Sequence, residues 1–201
     1  MIAAEQLRPD VAERRKNFGL AKRFLDRCRL VFLDESGAKT NMTRLYGRAA
    51  KGQRCVDHSP HGHWKTMTIL SAIRDEGVIE DATVVVDGAM DGDTFLNYTK
   101  QCLVPSLRRG DVVVMDNLAS HKVKGVREAI ESAGCDLWYL PPYSPDLNPI
   151  EKLWSKVKCW LRRVSATTFD GLSDAVADAL RAVKPNECAN YFEACGYGQK
   201  L

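Results

Sequence analysis

The stretch VVVMDNLASHK, residues 112–122, runs four buried-looking apolar side chains, Val112 to Met115, straight into an ion, Asp116. The chain then turns polar through Asn117, Ser120, His121 and Lys122. A short apolar run of this kind reads as a core strand. A carboxylate at its end is either a helix cap or a ligand at a site. A second run, RLVFLDE (29–35), is rich in strand formers and also meets a carboxylate, Asp34, which the pattern places at the end of the first strand.

Working outward, HWKTMTILSAI (63–73) and VIEDATVVVDG (78–88) read as strands joined by turn residues 75–77, an antiparallel meander with the first strand. MDGDTFLNYTKQCLVPSL reads as a helix capped near Asp91 or Asp93. It sets Phe95, Leu96, Tyr98, Thr99, Cys102 and Leu103 on one side and is ended by Pro105. SHKVKGVREAIESAG follows as one helix, with Val123, Val126, Ala129, Ile130 and Ala133 at helical spacing and Gly134 as its stop. CDLWYL is a final strand. The proline-rich PPYSPDLNPIEKLW (141–154) leads into a helix carrying Trp154 and Trp160, and two more helices, about 168–183 and 185–195, follow. Residues 1–28 form a basic, helical, partly exposed lead-in. The order of elements predicts an α/β domain over 29–201, a mixed five-stranded sheet flanked by helices.

A chain of 201 residues with 45% hydrophobic content suits one well-buried domain. No apolar run approaches the roughly 18 residues of a membrane span, and MIAAEQLRPDVAERR carries charges where a signal peptide would be apolar, so a soluble, cytoplasmic protein is expected. Seven cysteines without a repeated close spacing favour reduced thiols over a disulfide framework. The net charge of +3 does not announce a nucleic-acid binder, but its distribution is uneven. Residues 1–30 hold eight Lys or Arg against four acids, and KLWSKVKCWLRR (152–163) holds five bases and no acid.

Asp34, Asp116 and Glu151 stand out by position. Strand ends are where α/β sheets form their sites, and neighbouring strands can bring terminal carboxylates together. Such acids repel unless a cation lies between them. Mg²⁺ takes carboxylate oxygens at about 2.0–2.1 Å, and two ions roughly 3.5–4 Å apart can activate water and stabilise the leaving oxygen of a phosphodiester. Each acid also has a plainer reading. Asp34 and Asp116 fit surface caps, and in NPIE, with Asn148 as N-cap and Pro149 in first position, Glu151 could reach back to a backbone amide.

VFLDES, VVVMDNLASHK and YLPPYSPDLNPIEKLW together resemble the three catalytic blocks of DDE transposases of the mariner superfamily, in particular its bacterial insertion-sequence branch. The 34 residues between Asp116 and Glu151 agree with that branch, and LYGRAAKGQR and HGHWKT also look like family sequence. The resemblance covers about Arg29 to Tyr197. It implies a ribonuclease H-like fold in which Asp34, Asp116 and Glu151 are catalytic and bind two Mg²⁺ or Mn²⁺ ions. The implied chemistry is hydrolysis at transposon ends and attack of the released 3′-hydroxyl on target DNA. Family members carry an N-terminal helix-turn-helix region that 28 residues cannot hold. The chain therefore reads as a catalytic half, with end recognition expected from a separate polypeptide or a missing segment, a homodimer when two ends are synapsed, and a bacterial, nucleoid-associated location.

Several neighbours are candidate DNA contacts. On the helix after the proline-rich loop, Ile150, Leu153, Trp154, Val157, Leu161 and Val164 form the apolar stripe, and Glu151, Ser155, Lys158 and Arg162 fall together on its flank. That flank is either a solvated basic face or a track that lets Lys158 and Arg162 follow phosphate away from Glu151. His121 and Lys122, at the expected start of a helix, are placed to contact the scissile strand, and Tyr143 to contact DNA from the loop. Trp154 and Trp160 read as core, while Trp64 fits either role. CVDHSPHGH carries Cys55, His58, His61 and His63 and raises zinc, though structural zinc spacings usually pair two close ligands with a distant pair. A ribonuclease H-type nuclease and an inactive DNA-binding remnant are the competing readings. The YSPDLNPIE block argues against the first and the intact acids against the second.

Overall fold

The computed structural model describes residues 4–198. Five strands, β1 (Leu30–Lys39), β2 (Thr66–Arg74), β3 (Gly77–Asp87), β4 (Val112–Met115) and β5 (Asp136–Tyr139), form one sheet in the order β3-β2-β1-β4-β5. The β1–β2 and β2–β3 pairs are antiparallel, as the meander predicts, and the β1–β4 and β4–β5 pairs are parallel.

The central strands read as unbroken apolar runs because both faces of the sheet are covered. Leu30, Phe32, Val112 and Val114 point to one face, packing with the helices α5 (Ile150–Val164), α6 (Phe169–Arg181) and α7 (Pro185–Ala194). Val31, Leu33, Val113 and Met115 point to the other, against α2 (Gly92–Tyr98), a π turn (Thr99–Leu103), the single turn α3 (Val104–Ser106) and α4 (Val126–Ser132). The leading helix α1 (Pro9–Ala21) buries Val11 and Phe18, the latter edge-on to Trp138 of β5 with centroids 6.1 Å apart. Of the α5 stripe, Ile150, Leu153, Trp154, Val157 and Leu161 are buried and Val164 is half exposed. Each full burial contributes on the order of 1.5–3 kcal/mol. Trp160 is partly buried against the same core.

Three sequence expectations need correction. Asp34 does not end β1: the strand continues five residues to Lys39, because β2 pairs with it from Phe32 to Lys39 while β4 pairs only from Leu30 to Phe32. SHKVKGVREAIESAG is not one helix. A 3-10 turn (Ser120–Lys122) is followed by extended Val123 and by Gly125 at φ 100°, and α4 starts only at Val126, its entry closed by Glu128 accepting from the Gly125 amide at 2.8 Å. Finally, Pro105 does not stop its helix, which runs one residue further as α3; Asp91 caps the start of α2, accepting from the Thr94 amide at 2.8 Å. Among the described residues no helix is long and apolar enough to cross a membrane.

Candidate active site

Strand parity decides which acids meet. Asp34 shares the face of Leu30 and Phe32, and Asp116, beyond Val112 and Val114, shares it too. The parallel register pairs Phe32 with Val114, so carrying it two residues on sets Asp34 beside Asp116, where β4 has ended. That face is the one α5 packs on, and Glu151 lies in the first turn of α5. All three acids line a cavity of about 550 Å³, walled by the segment from Leu140 to Pro145 and by Asn148.

The three carboxylates have different surroundings. Asp34 is buried, with Oδ1 accepting from the Glu35 amide at 2.8 Å and Oδ2 from the Asn148 side-chain amide at 3.3 Å. Burial, and then the negative charges of Glu151 and Asp116, push its carboxyl up to about 7. Asp116 is partly exposed and accepts from the Leu118 amide at 3.1 Å. Glu151 is exposed. Its backbone amide bonds to the Asn148 carbonyl at 3.2 Å and the helix start has no side-chain cap, so the reach-back reading of NPIE does not hold. The side chain of Asn148 turns to Asp34 instead of capping the helix.

His121 occupies a place that the sequence did not reveal. Its ring has no exposed surface and stacks on Phe95 at 4.3 Å between centroids. Nε2 lies 3.0 Å from Glu35 Oε1; Nδ1 lies 2.6 Å from Asp116 Oδ1, off the line of a straight hydrogen bond. Burial alone would depress the imidazole, but the bonds and charges of Asp116 and Glu35 outweigh it and push it up to about 9. The ring is then an imidazolium clamped between two carboxylates. Sealed in this way it offers no surface to a phosphate, which corrects its assignment as a DNA contact. Glu35 was missed altogether; the available signal was that it follows Asp34 on the opposite face of the strand.

The remaining candidates are at the surface. Tyr143 is half exposed at φ 55° and lines the cavity. Lys122 is exposed, its ammonium 5.4 Å from the centroid of Tyr139. Lys158 and Arg162 are partly exposed on the Glu151 flank of α5, about 10 and 16 Å along the axis at 1.5 Å per residue. Cys55, His58, His61 and His63 lie in an exposed loop, as does Trp64, which is half exposed. Among the described residues no three His, Cys, Asp or Glu side chains are drawn together tightly enough to hold an ion as they stand, although all three acids line the same cavity.

The pattern described by DDE superfamily endonucleases matches residues 29–173, a span that includes all three acids. The chain belongs to that family. This DDE endonuclease chain is 31% identical over 130 residues to the Tcb2 transposase of Caenorhabditis briggsae, covering 57% of the chain and 48% of that protein. It is 30% identical over 103 residues to the Tc1 transposase of Caenorhabditis elegans, covering 46% and 38%. The chain thus spans about half or less of these relatives. Its fold is that of Mos1 transposase: a paired-end complex with the left transposon end aligns at a TM-score of 0.75 and 18% identity, over 96% of this chain and 61% of that one. The Mos1 catalytic domain alone aligns at 0.64 and 14%, over 96% and 89%. The five-stranded mixed sheet expected from the sequence is therefore the sheet of the Mos1 catalytic domain.

Proposed function

We propose that this chain is the catalytic domain of a transposase, hydrolysing DNA phosphodiesters at transposon ends and transferring the resulting 3′-hydroxyl into target DNA. The observation that carries this reading is the convergence of Asp34, Asp116 and Glu151, from three separate parts of the chain, on one open cavity. Their donor set suits a hard divalent cation. All are carboxylate oxygens, and the charges of Glu151 and Asp116 make ionisation of Asp34 harder, a cost that a cation among them would reverse. Two Mg²⁺ or Mn²⁺ ions held there would activate a water and stabilise the leaving oxygen. Mos1 complexes solved with Mg and with Mn support this choice of metal.

The protein's own groups supply orientation and charge. Asp34 is held by Asn148 and its neighbouring amide, Asp116 by His121 and the Leu118 amide, and Glu151 swings from the start of a helix. Lys122, Tyr143, Lys158 and Arg162 bind the DNA, with Lys158 and Arg162 following phosphates away from the acids. Residues 29–201 form the catalytic domain and residues 1–28 its lead-in. The interval between Asp116 and Glu151 supports the bacterial insertion-sequence branch, and hence work at the nucleoid, as a homodimer when two ends are synapsed. The helix-turn-helix end reader is a further segment or a separate polypeptide.

The test is cleavage of a labelled duplex bearing the terminal repeat that flanks the gene, in Mg²⁺ or Mn²⁺, together with calorimetric Mn²⁺ binding. Metal-dependent cutting and Mn²⁺ binding, both lost in Asp116→Asn, are expected. A wild-type protein that neither binds Mn²⁺ nor cuts would overturn the reading.

A further inference from the structure

The proline-rich loop walling the cavity has few backbone donors of its own, since Pro141, Pro142 and Pro145 lack an N–H. Its hydrogen bonds come partly from α1, more than a hundred residues earlier. Arg15 Nη1 donates to Ser144 Oγ at 2.7 Å and to Asp146 Oδ1 at 3.0 Å, and Nη2 donates to Asp146 Oδ2 at 2.7 Å. One guanidinium fork thus grips both sides of Pro145. Ser144 Oγ passes the restraint on by donating to the Pro142 carbonyl at 3.1 Å, and Gln6 Nε2 donates to the Tyr143 carbonyl at 2.6 Å. Ser144 is 5% exposed and the Arg15 side chain 22%, so the grip is partly shielded from water.

Between these anchors Tyr143 sits at φ 55°, a left-handed conformation that a tyrosine adopts at a cost. Such strain persists only where the surroundings enforce it, and it gathers at functional sites. Here the enforcing contacts are those of Arg15 and Gln6. We propose that Arg15 is a positioning residue, bracing the Ser144–Asp146 turn so that Tyr143 is presented to DNA and α5 starts where Glu151 faces Asp34 and Asp116. The helix that carries it precedes residue 29, where the match to the endonuclease family begins, so the lead-in segment is a working part of the site. The catalytic part of this inference rests on the transposase reading; the brace itself does not.

The experiment compares the full chain with Arg15→Ala, Arg15→Lys, Arg15→Asp, Asp146→Arg and the double swap Arg15→Asp/Asp146→Arg. Amide hydrogen exchange across 143–148 is read beside single-turnover cleavage and affinity for the labelled duplex. In Arg15→Ala, loop exchange should quicken about tenfold while β1 and β4 keep their protection. Cleavage should slow by roughly 10–100-fold, the range that follows from misplaced groups, with DNA affinity changing less. Arg15→Lys, which keeps the charge and is the safer variant for folding, should fall between, and the double swap should recover most of the loss relative to either single reversal. Unchanged loop exchange in both Arg15→Ala and Arg15→Lys overturns the brace. Quickened exchange with unchanged cleavage overturns the positioning role. A wild-type protein that never cuts removes the transposase reading and with it the positioning role, while exchange still decides the brace.

Discussion

Asp34 lies within β1 and Asp116 just past the end of neighbouring β4, whereas Tyr143 reaches the same cavity from a proline-rich loop and Glu151 from the first turn of a helix. The strand pair is set by parallel register and held from behind, Asp34 by Asn148 and Asp116 by a sealed imidazolium. The loop side carries the exposed Tyr143 and Glu151, lies outside the sheet ladder and is tied down by Arg15 of α1 and by Gln6 just before it. A sheet can place two carboxylates accurately but cannot move them. Glu151 and Tyr143 instead depend on side-chain bonds from distant segments for their placement, contacts that a single substitution can remove.

The largest effect that would sharpen this contrast is on chemistry. Asp116→Asn should lower metal-dependent cleavage at least about 10²–10³-fold, as for loss of a principal transition-state contact, while circular dichroism stays that of the wild type. A milder loss would mean that the strand pair is not the anchor.

Next comes the clamp behind the strand pair. His121→Ala leaves Glu35 and Asp116 without their shared cation and opens a hole beside Phe95, so unfolding should cost roughly 2–4 kcal/mol less in urea titrations. Cleavage should fall as well, because Asp116 loses its orientation.

Asp34 gives a prediction of opposite sign. Its carboxyl is raised to about 7 in the fold, so in metal-free protein it is protonated at no cost below about 4 and charged at a cost above 7. Its contribution to stability therefore declines as pH rises from about 4 to 7. Asp34→Asn removes that decline and should be more stable than wild type at pH 8 by about 1 kcal/mol or more, while losing Mn²⁺ binding. Equal stability of the two proteins across that pH range would contradict the unfavourable ionisation of buried Asp34.

On the helix side, reversing the charges of Lys158 and Arg162 should weaken DNA binding and flatten its salt dependence by roughly two phosphate contacts, with thermal stability within about 0.5 kcal/mol of wild type. Unchanged affinity would return this flank to solvent. The smallest effect is expected in the exposed loop after β1, where alanine at Cys55, His58, His61 and His63 together should leave thermal stability within about 0.5 kcal/mol. Stoichiometric zinc in the purified protein, lost in that variant, would make this loop a metal site.

Much of this was legible in the residues. The apolar runs 30–33 and 112–115 announced strands covered on both faces, and an ion at the end of each run marked the acids. The α5 stripe was readable from its period, with Val164 alone falling outside the core. What misled was anything that depended on a partner far along the chain. Asp34 looked terminal because the apolar run stops there, yet β2 pairs on for five more residues through a contact that a local pattern does not encode. His121 looked like a surface ligand because its sealing partner Glu35 is 86 residues away.

The sequence by itself determined the five strands and the apolar faces of the helices, since these follow from local periodicity, and its resemblance to DDE transposases singled out Asp34, Asp116 and Glu151. Tertiary structure alone decided that Asp34 lies level with Asp116 on the α5 face, that His121 is sealed behind them, and that Arg15 holds the loop of Tyr143. Each of those depends on strand register or on a hydrogen bond between distant segments, and neither is specified until the chain has packed.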